Sequence, residues 1–380
     1  MNSDFARVSK LGFGCMRLPQ TDPKDPTAID IEHVKQMVDT YLAGGGNYFD
    51  TAFVYHNGAS EKALGEALVA RHPRESYTIA TKCLAWACPD EKTAKSNLPT
   101  SLERLGTDYI DFYLLHNVGG KRTKVFDDWG MWDFAQKAKQ DGLIRHVGFS
   151  MHDGPETLAE VLDRILTDHP EMEFVQLQVN YLDWESPVAQ SRRCMEVAAE
   201  HDVPVIIMEP ARGGMLVNLA DRVAAPLVAC SPEKSLASWA YRFCYNLPGV
   251  LTVLSGMSTL EQMEQNLATM KEFSPLSAQE QAVVAQAREA LASLPSIPCT
   301  SCQYCVKGCP QKVVIPRIFS AMNTLLVYNN LEGAKGNYAW ETRDGGKAGE
   351  CVACGQCESA CPQHIAIIDE LRRASSLLEG

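Results

Sequence analysis

The chain has 380 residues, of which 46% are hydrophobic and 22% charged, and its formal net charge is −12 at pH 7. This composition is typical of a soluble globular protein, and no run of about 18 apolar residues predicts a membrane span. The acidic balance argues against a nucleic-acid partner, because phosphate backbones are bound by clustered Lys and Arg. The first residues, "MNSDFARVSK", include no apolar secretory core, so we expect a cytoplasmic protein without a membrane partner.

Short β-rich runs alternate with stretches of helical periodicity over the first 270 or so residues. The strand–helix pairs are LGFGCM with 29–43, NYFDT with 60–70, YTIATK with 91–105, YIDFYLL with 126–139, IRHVGFS with 155–166, FVQLQV with 187–201, PVIIM with 232–245 and VLTVLSG with 259–270. Eight such pairs predict a parallel α/β barrel, the (β/α)8 or TIM barrel. The alternative is a doubly wound open sheet. Against it, the first strand leads into the loop "LPQTDPKDP" and not into a glycine-rich turn that opens a helix.

Polar side chains stand at the C-terminal ends of five successive predicted strands, where barrel enzymes carry out their chemistry. They are Asp50, Lys82, His116, Ser150 and Gln178. Taken singly, each has a structural explanation, such as a helix cap, a solvated charge or a buried histidine. Taken together, they predict a site in one barrel mouth.

A tyrosine joins this set from the loop after the second strand. Tyr55 carries a phenol, and a phenol with a pKa of about 10 is a poor acid near neutrality unless a cation lowers that pKa. Lys82 would supply the cation, and Asp50 would keep Lys82 charged by pairing with it. His116 would donate a hydrogen bond to a substrate carbonyl oxygen. The set suits proton delivery to an alkoxide that forms as hydride reaches carbon.

The motifs "DTAFVY", "ATK" and "LLH" resemble the Asp–Tyr–Lys–His tetrad of the aldo-keto reductase family. The resemblance covers roughly residues 8–270 and includes "GASEKALGEAL", "SLERLGTDYIDFYLLH" and "GFSMHD" in the family's order. It implies an NAD(P)-dependent oxidoreductase that reduces a carbonyl compound or oxidises an alcohol. Tyr55 would be the general acid, Lys82 and Asp50 would tune it, and His116 would position the carbonyl.

The same resemblance implies a set of nicotinamide-cofactor contacts. Ser150 and Gln178 would hold the carboxamide, and Met208 stands where many members place an aromatic ring. Further predicted contacts are Arg212, Gly213 and Gly214 as a pyrophosphate cradle, and Ser258, Gln262 and Asn266 near the adenosine phosphate. A turn with an exposed arginine is the alternative explanation of "ARGG". Gly256 and Gln262 lie where NADPH-preferring members often carry cations, so neither NADH nor NADPH is favoured.

Eight of the fourteen cysteines lie in two runs that both fit C-x2-C-x2-C-x3-C-P. The spacing is typical of bacterial two-cluster ferredoxins, in which the fourth cysteine of each run binds the other cluster. The runs therefore predict one [4Fe–4S] cluster on Cys299, Cys302, Cys305 and Cys361, and a second on Cys351, Cys354, Cys357 and Cys309. Structural zinc is the alternative, although zinc ribbons pair two C-x2-C knuckles and lack this distant fourth ligand.

The change in cysteine content predicts three segments: the barrel at 1–273, a connecting helix and linker at 274–298, and a ferredoxin-like domain at 299–380. The last segment resembles the subset of aldo-keto reductases with a C-terminal ferredoxin-type domain. Three functions stay open. They are a carbonyl reductase with structural or redox-sensing clusters, a reductase linked to a ferredoxin or flavin electron carrier, and a nicotinamide-sensing or electron-carrier protein without carbonyl turnover.

Overall fold

The structure, a computed structural model, describes residues 4–22, 25–186, 189–328 and 330–380. Eight parallel strands pair in chain order and close into a barrel, with the first strand beside the last. The strands are β1 (Leu11–Gly14), β2 (Tyr48–Asp50), β3 (Thr78–Cys83), β4 (Ile110–Val118), β5 (Ile144–Met151), β6 (Met172–Gln178), β7 (Val205–Met208) and β8 (Val250–Ser255). The predicted (β/α)8 barrel is confirmed.

Among the described residues, eleven α-helices lie between these strands or directly after the last of them along the chain. They are α1 (Ile31–Ala43), α2 (Ala59–Leu64), α3 (Glu91–Lys95), α4 (Asn97–Leu105), α5 (Gly120–Asp128), α6 (Met131–Gln140), α7 (Pro155–Asp168), α8 (Ser191–Glu200), α9 (Asp221–Cys230), α10 (Leu236–Tyr245) and α11 (Leu260–Lys271). The predicted helix at 91–105 is divided into α3 and α4, and the predicted start of another at 187 lies outside the described residues. Helices α5 and α9 are additions that the periodicity did not predict.

Burial explains why these segments take their places. All nine residues of β4 are buried, as expected for a parallel strand that is covered on both faces. Helix α7 begins with Pro155 in its first turn and buries Leu158, Leu162 and Ile165, which are spaced along one helical face. The barrel core therefore follows from strand runs that are apolar throughout and helices that are apolar on one side.

The chain separates into two compact units. The first contains Met1–Pro210 and Ser238–Leu276, and so holds the barrel strands. The second contains Ala211–Ala237 and Ser277–Gly380. Among the described residues, no helix is long and apolar enough to cross a bilayer.

The second unit is helical. Helix α9 packs against α12 (Ala278–Ala292), which begins at a capping box formed by Ser277 and Glu280. The remaining helices are α13 (Tyr304–Lys307), α14 (Ile315–Tyr328), α15 (Leu331–Glu341), α16 (Gln356–Ser359) and α17 (Ile367–Leu378). Helices α13 and α14 recur 52 residues later as α16 and α17, so this unit contains an internal repeat in which each half begins with one cysteine run.

Candidate active site and cysteine-lined cavities

The loop after β2 carries Tyr55 and is held by backbone hydrogen bonds to β3. Thr51 N–H donates to the Ala80 carbonyl at 2.8 Å, and Phe53 N–H donates to the Lys82 carbonyl at 3.2 Å. Tyr55 then starts a tight turn that continues through two residues with left-handed backbone. The Tyr55 side chain is buried, so the loop presents the phenol from a fixed position.

A buried ion pair lies next to this tyrosine. Lys82 Nζ is 2.6 Å from Asp50 Oδ1 and also donates to the Thr51 carbonyl at 2.7 Å. The same nitrogen lies 5.0 Å from the centre of the Tyr55 ring. Asp50 and Lys82 are both almost completely buried, so little water screens the attraction between them.

His116 completes the predicted tetrad at the end of β4. Its ring meets the Tyr55 ring edge to face, with centroids 6.1 Å apart. The His116 carbonyl accepts a hydrogen bond from Trp86 Nε1 at 3.0 Å, which holds this part of the strand. The structure therefore brings together four residues that are spread over 67 positions of the sequence: Asp50, Tyr55, Lys82 and His116.

Burial determines the electrostatics of these groups. It raises the pKa of the Asp50 carboxyl and lowers the pKa of the Lys82 ammonium, while the attraction between the two groups opposes both changes. Burial, together with the nearby Lys82 charge, lowers the pKa of His116 well below its ordinary value. His116 is therefore neutral near pH 7, and a neutral imidazole can donate one hydrogen bond without adding charge.

The predicted carboxamide contacts lie on the two strands that follow β4. Ser150 Oγ accepts the backbone N–H of Asn117 at 2.9 Å. Gln178 is buried, its Oε1 lies 3.3 Å from His152 Nδ1, and its Nε2 donates to Asp183 Oδ2 at 2.7 Å. Each side chain is thus held in one orientation by its neighbours.

Met208, at the end of β7, packs against a core cluster inside the barrel. Its sulfur also lies 3.4 Å from Gln176 Nε2.

The three residues of the predicted pyrophosphate cradle belong to the second unit. Arg212 is buried, and Gly213 and Gly214 both have positive φ angles. A Cβ added to Gly213 would lie 2.7 Å from the carbonyl oxygen of Thr300, the residue after Cys299. The segment is therefore packed on the first cysteine run, and the alternative of an exposed arginine does not describe it.

The predicted adenosine-phosphate residues lie just before α11 and within it. Gln262 Oε1 accepts the Ser258 N–H at 2.8 Å, and the Ser258 hydroxyl donates to the Arg17 carbonyl at 2.6 Å. Asn266 is buried and donates to Ser255 Oγ at 3.0 Å. The side chain of Arg17 also passes beside Gly256, where an added Cβ would be 3.3 Å from Arg17 Cδ. This cation is not among the predicted contacts because it lies directly after β1, far along the chain from Gly256.

The cysteines of the second unit line two cavities. Cys299, Cys302, Cys305 and Cys361 line one, and Cys309, Cys351, Cys354 and Cys357 line the other. Each cavity therefore takes three cysteines from one run and the fourth from the other. Left-handed backbone recurs at matching places in both runs, at Ser301, Gln303 and Lys312 and at Ala353, Gly355 and His364.

The family model described as "Aldo/keto reductase family" matches residues 10–289. The chain belongs to this family. The model of a "4Fe-4S dicluster domain" matches residues 298–366, so this aldo/keto reductase carries a ferredoxin-like 4Fe–4S domain at its C-terminal end. The predicted family is confirmed, and the second match favours iron–sulfur chemistry over the zinc alternative.

Named relatives and solved structures agree with this assignment. An aldo-keto reductase from Mycobacterium sp. (strain MCS) is 32% identical over 254 residues, which cover 67% of this chain and 79% of the relative. L-galactose dehydrogenase from Arabidopsis thaliana is 26% identical over 295 residues, 73% of this chain and 89% of that protein. The holo form of an aldo-keto reductase from Bacillus halodurans matches with a TM-score of 0.60 and 28% identity, over 74% of this chain and 92% of that structure.

Proposed function

We propose that this aldo/keto reductase uses NAD(P)H to reduce a small carbonyl compound, or NAD(P)+ to oxidise the corresponding alcohol, at the barrel site that contains Tyr55. The observation that carries the proposal is the buried pair of Lys82 and Asp50 beside the Tyr55 ring. A buried charge pair costs desolvation free energy, and here its ammonium lies next to a phenol. Membership of the family supports the same assignment.

Tyr55 is the proposed general acid. Its O–H bond breaks as the carbonyl oxygen takes the proton and the carbonyl carbon takes a hydride, so an alcohol forms and the phenolate regains a proton from solvent. The Lys82 ammonium stabilises that phenolate, and Asp50 keeps the ammonium in place. His116, being neutral, donates a hydrogen bond to the carbonyl oxygen and holds it near the phenol.

The nicotinamide would be received by Ser150, Gln178 and Met208. The Ser150 hydroxyl accepts one hydrogen bond and keeps its own proton to donate to a carboxamide oxygen. When it is bound in the reduced state, the nicotinamide supplies the hydride. The contacts with the phosphate groups remain predictions from the sequence: Arg212, Gly213, Gly214, Ser258, Gln262 and Asn266.

Steady-state rates test this function directly. The protein is purified without oxygen and assayed with NADH and with NADPH, at equal concentrations, against a panel of small aldehydes and ketones. We expect oxidation of at least one of the two cofactors that depends on the carbonyl compound and yields the alcohol. Turnover of no member of the panel, by a protein that binds the cofactor in a fluorescence titration, would count against the proposal.

The second unit is proposed to hold two [4Fe–4S] clusters, one in each cysteine-lined cavity. Four thiols around each cavity form the donor set that such a cluster uses. In the crossed arrangement, in which each run supplies its fourth cysteine to the other run's cavity, Cys361 lines the first cavity and Cys309 the second, and this supports their predicted assignment. Purification without oxygen should give a brown protein with about eight iron atoms per chain, since each cluster holds four. About four iron atoms would mean a single cluster.

A reductase linked to an external electron carrier, a ferredoxin or a flavin, is the second candidate. The exposure of Cys354, which lines the second cavity, favours it, because a partner can approach a cluster held there. Anaerobic NAD(P)H is added without and then with a carbonyl compound while the visible absorbance is followed. Bleaching without the carbonyl supports this candidate, and turnover without any bleaching supports a reductase that is independent of the clusters.

A further inference from the structure

Strand β4 contains a bulge at the residue after His116. Leu115 pairs with Phe149 and Val118 pairs with Met151, so the two residues between them, His116 and Asn117, face the single residue Ser150 of β5. Such bulges change the direction of a side chain and are frequent next to active sites. This one places two consecutive side chains of β4 opposite the same neighbour.

The backbone of Asn117 is fixed by the bulge. Its φ angle is 59°, in the left-handed region that asparagine tolerates better than most residues. Its N–H donates to Ser150 Oγ at 2.9 Å, and its carbonyl accepts from Arg122 Nε at 2.9 Å. Arg122 is itself paired with Asp153 at 2.7 Å, so both backbone groups of Asn117 are satisfied.

The side chain of Asn117 is not satisfied in this way. The residue is 1% exposed, and within the described part of the chain neither Oδ1 nor Nδ2 has a hydrogen-bond partner. Buried amides are almost always hydrogen-bonded, because an unmade bond leaves the desolvation cost uncompensated. A buried carboxamide that lacks both bonds, beside the proposed carbonyl-binding His116, indicates a partner that arrives with a ligand.

We propose that the Asn117 carboxamide binds a hydroxyl group on the carbon next to the reacting carbonyl, so that the substrate is an α-hydroxy aldehyde or ketone. The inference rests on the carbonyl reduction proposed above. His116 and Asn117 are consecutive and both face Ser150 across the bulge, so the groups that they would bind lie close together on one small molecule. A carboxamide both donates and accepts, and so does a hydroxyl, so one such group satisfies both orphan atoms.

Matched substrate pairs test the proposal. Hydroxyacetone is compared with butanone, and glycolaldehyde with propanal, because the members of each pair have the same number of heavy atoms. The ratio of kcat/KM for the hydroxylated over the plain compound should fall about ten-fold in Asn117→Gly, the loss expected for one net hydrogen bond. Glycine keeps the left-handed backbone without strain. Asp202→Gly is the matched control, since Asp202 is exposed, has a φ of 54° and lies before β7, away from the strand ends that carry the proposed site, and its ratio should equal the wild-type value.

Three other outcomes would overturn the proposal in recognisable ways. If the wild-type protein reduces both members of each pair and Asn117→Gly leaves the ratio of kcat/KM unchanged, then Asn117 does not bind the hydroxyl group, and the proposed carbonyl reduction still stands. If Asn117→Gly lowers kcat/KM equally for both members of a pair and also weakens NAD(P)H binding in a fluorescence titration, the Asn117 carboxamide binds the cofactor and not the substrate. Wild-type protein that reduces neither member and no other carbonyl would overturn the proposed function together with the inference.

Discussion

The barrel and the second unit differ in the residues that form their cores and in their net charge. The barrel core consists of strand residues and the helix faces that cover them. Two of its buried carboxylates pair with half-buried arginines, Glu61 with Arg104 at 3.0 Å and Asp111 with Arg74 at 2.5 Å. The core of the second unit includes Cys305, Cys357 and Cys361 beside its aliphatic residues. Charge differs as well: residues 299–380 contain eight Lys and Arg and eight Asp and Glu, so the net charge of −12 lies entirely in residues 1–298.

The two regions therefore depend on different sources of folding stability. The barrel has enough apolar surface to fold by burial alone. The cysteine runs form a region of about 80 residues, a size at which metal ligation commonly supplies stability that a small core lacks. Clusters held by core cysteines would therefore be part of the second unit's structure as well as its chemistry.

The largest expected effect comes from the barrel. Tyr55→Phe removes the proposed proton donor and should lower kcat for carbonyl reduction by about 10²- to 10⁴-fold, while cofactor binding, measured by fluorescence, is retained. Tyr109→Phe is the control, because its ring lies between Arg74 and Arg145 at 3.9 and 4.0 Å and remains in place. Full activity of Tyr55→Phe would remove Tyr55 from its role.

Removal of iron should destabilise the second unit and leave the barrel folded. Treatment with a chelator and oxidant is expected to make the second unit sensitive to protease, because its cysteine-lined cavities lose their contents, while a fragment that contains most of the barrel persists. Mass spectrometry of a limited digest measures both. Equal protection of residues 299–380 with and without iron would show that the second core is stable by itself.

Single cysteine substitutions test which cysteines of the second unit bind which cluster. Cys361→Ser should lose about half of the iron and leave the cluster on the cavity that contains Cys309, and Cys309→Ser should do the reverse. Iron analysis and electron paramagnetic resonance of the reduced proteins distinguish the two. Cys230→Ser, in the same unit but in neither run, should keep all of the iron. A Cys361→Ser spectrum that matches Cys354→Ser, and not Cys302→Ser, would contradict the assignment of Cys361 to the first cavity.

A glycine substitution tests the packing of the segment after β7. Gly213→Ala should destabilise the second unit by about 1–3 kcal/mol, because its Cβ meets the Thr300 backbone at 2.7 Å. Gly214→Ala is the control for backbone strain, since it also has positive φ but its nearest neighbour, Asn218 Nδ2, is 3.7 Å away. Loss of iron absorbance on heating reports the difference. Equal midpoints for the two variants would mean that Gly213 is not tightly packed.

The smallest effect concerns the pH dependence of the barrel. The pKa of His116 is lowered in the folded protein from 6.5 by burial, so its contribution to stability is present above pH 6.5 and is lost as pH falls from 6.5 toward the folded value. Between pH 7 and 6 the free energy of unfolding should therefore fall more in the wild type than in His116→Gln, by less than about 1 kcal/mol. Urea unfolding followed by tryptophan fluorescence measures it, and parallel losses in the two proteins would contradict the assignment.

Much of the architecture was predictable from local pattern. Strand runs such as "YIDFYLL" are apolar throughout and alternate with helical periodicity, which is enough to predict β4 and its neighbours. Helix α9 was missed because Pro226 lies inside it, and proline in a short segment favours a loop. Helix α5 was missed because "GKRTKVFDD" buries only Phe126, so it has no apolar period to recognise.

The family, the order of Asp50, Tyr55, Lys82 and His116, and the spacing of the two cysteine runs can all be read from the sequence, because they depend on residue type and short separations along the chain. Which groups meet depends on the tertiary structure. Three features depend on contacts between segments that are distant along the chain. They are the bulge that leaves the Asn117 carboxamide without partners, the approach of Arg17 to Gly256 and the packing of Gly213 on Thr300. Strand register and close backbone contact bring these segments together, and no local sequence pattern encodes them.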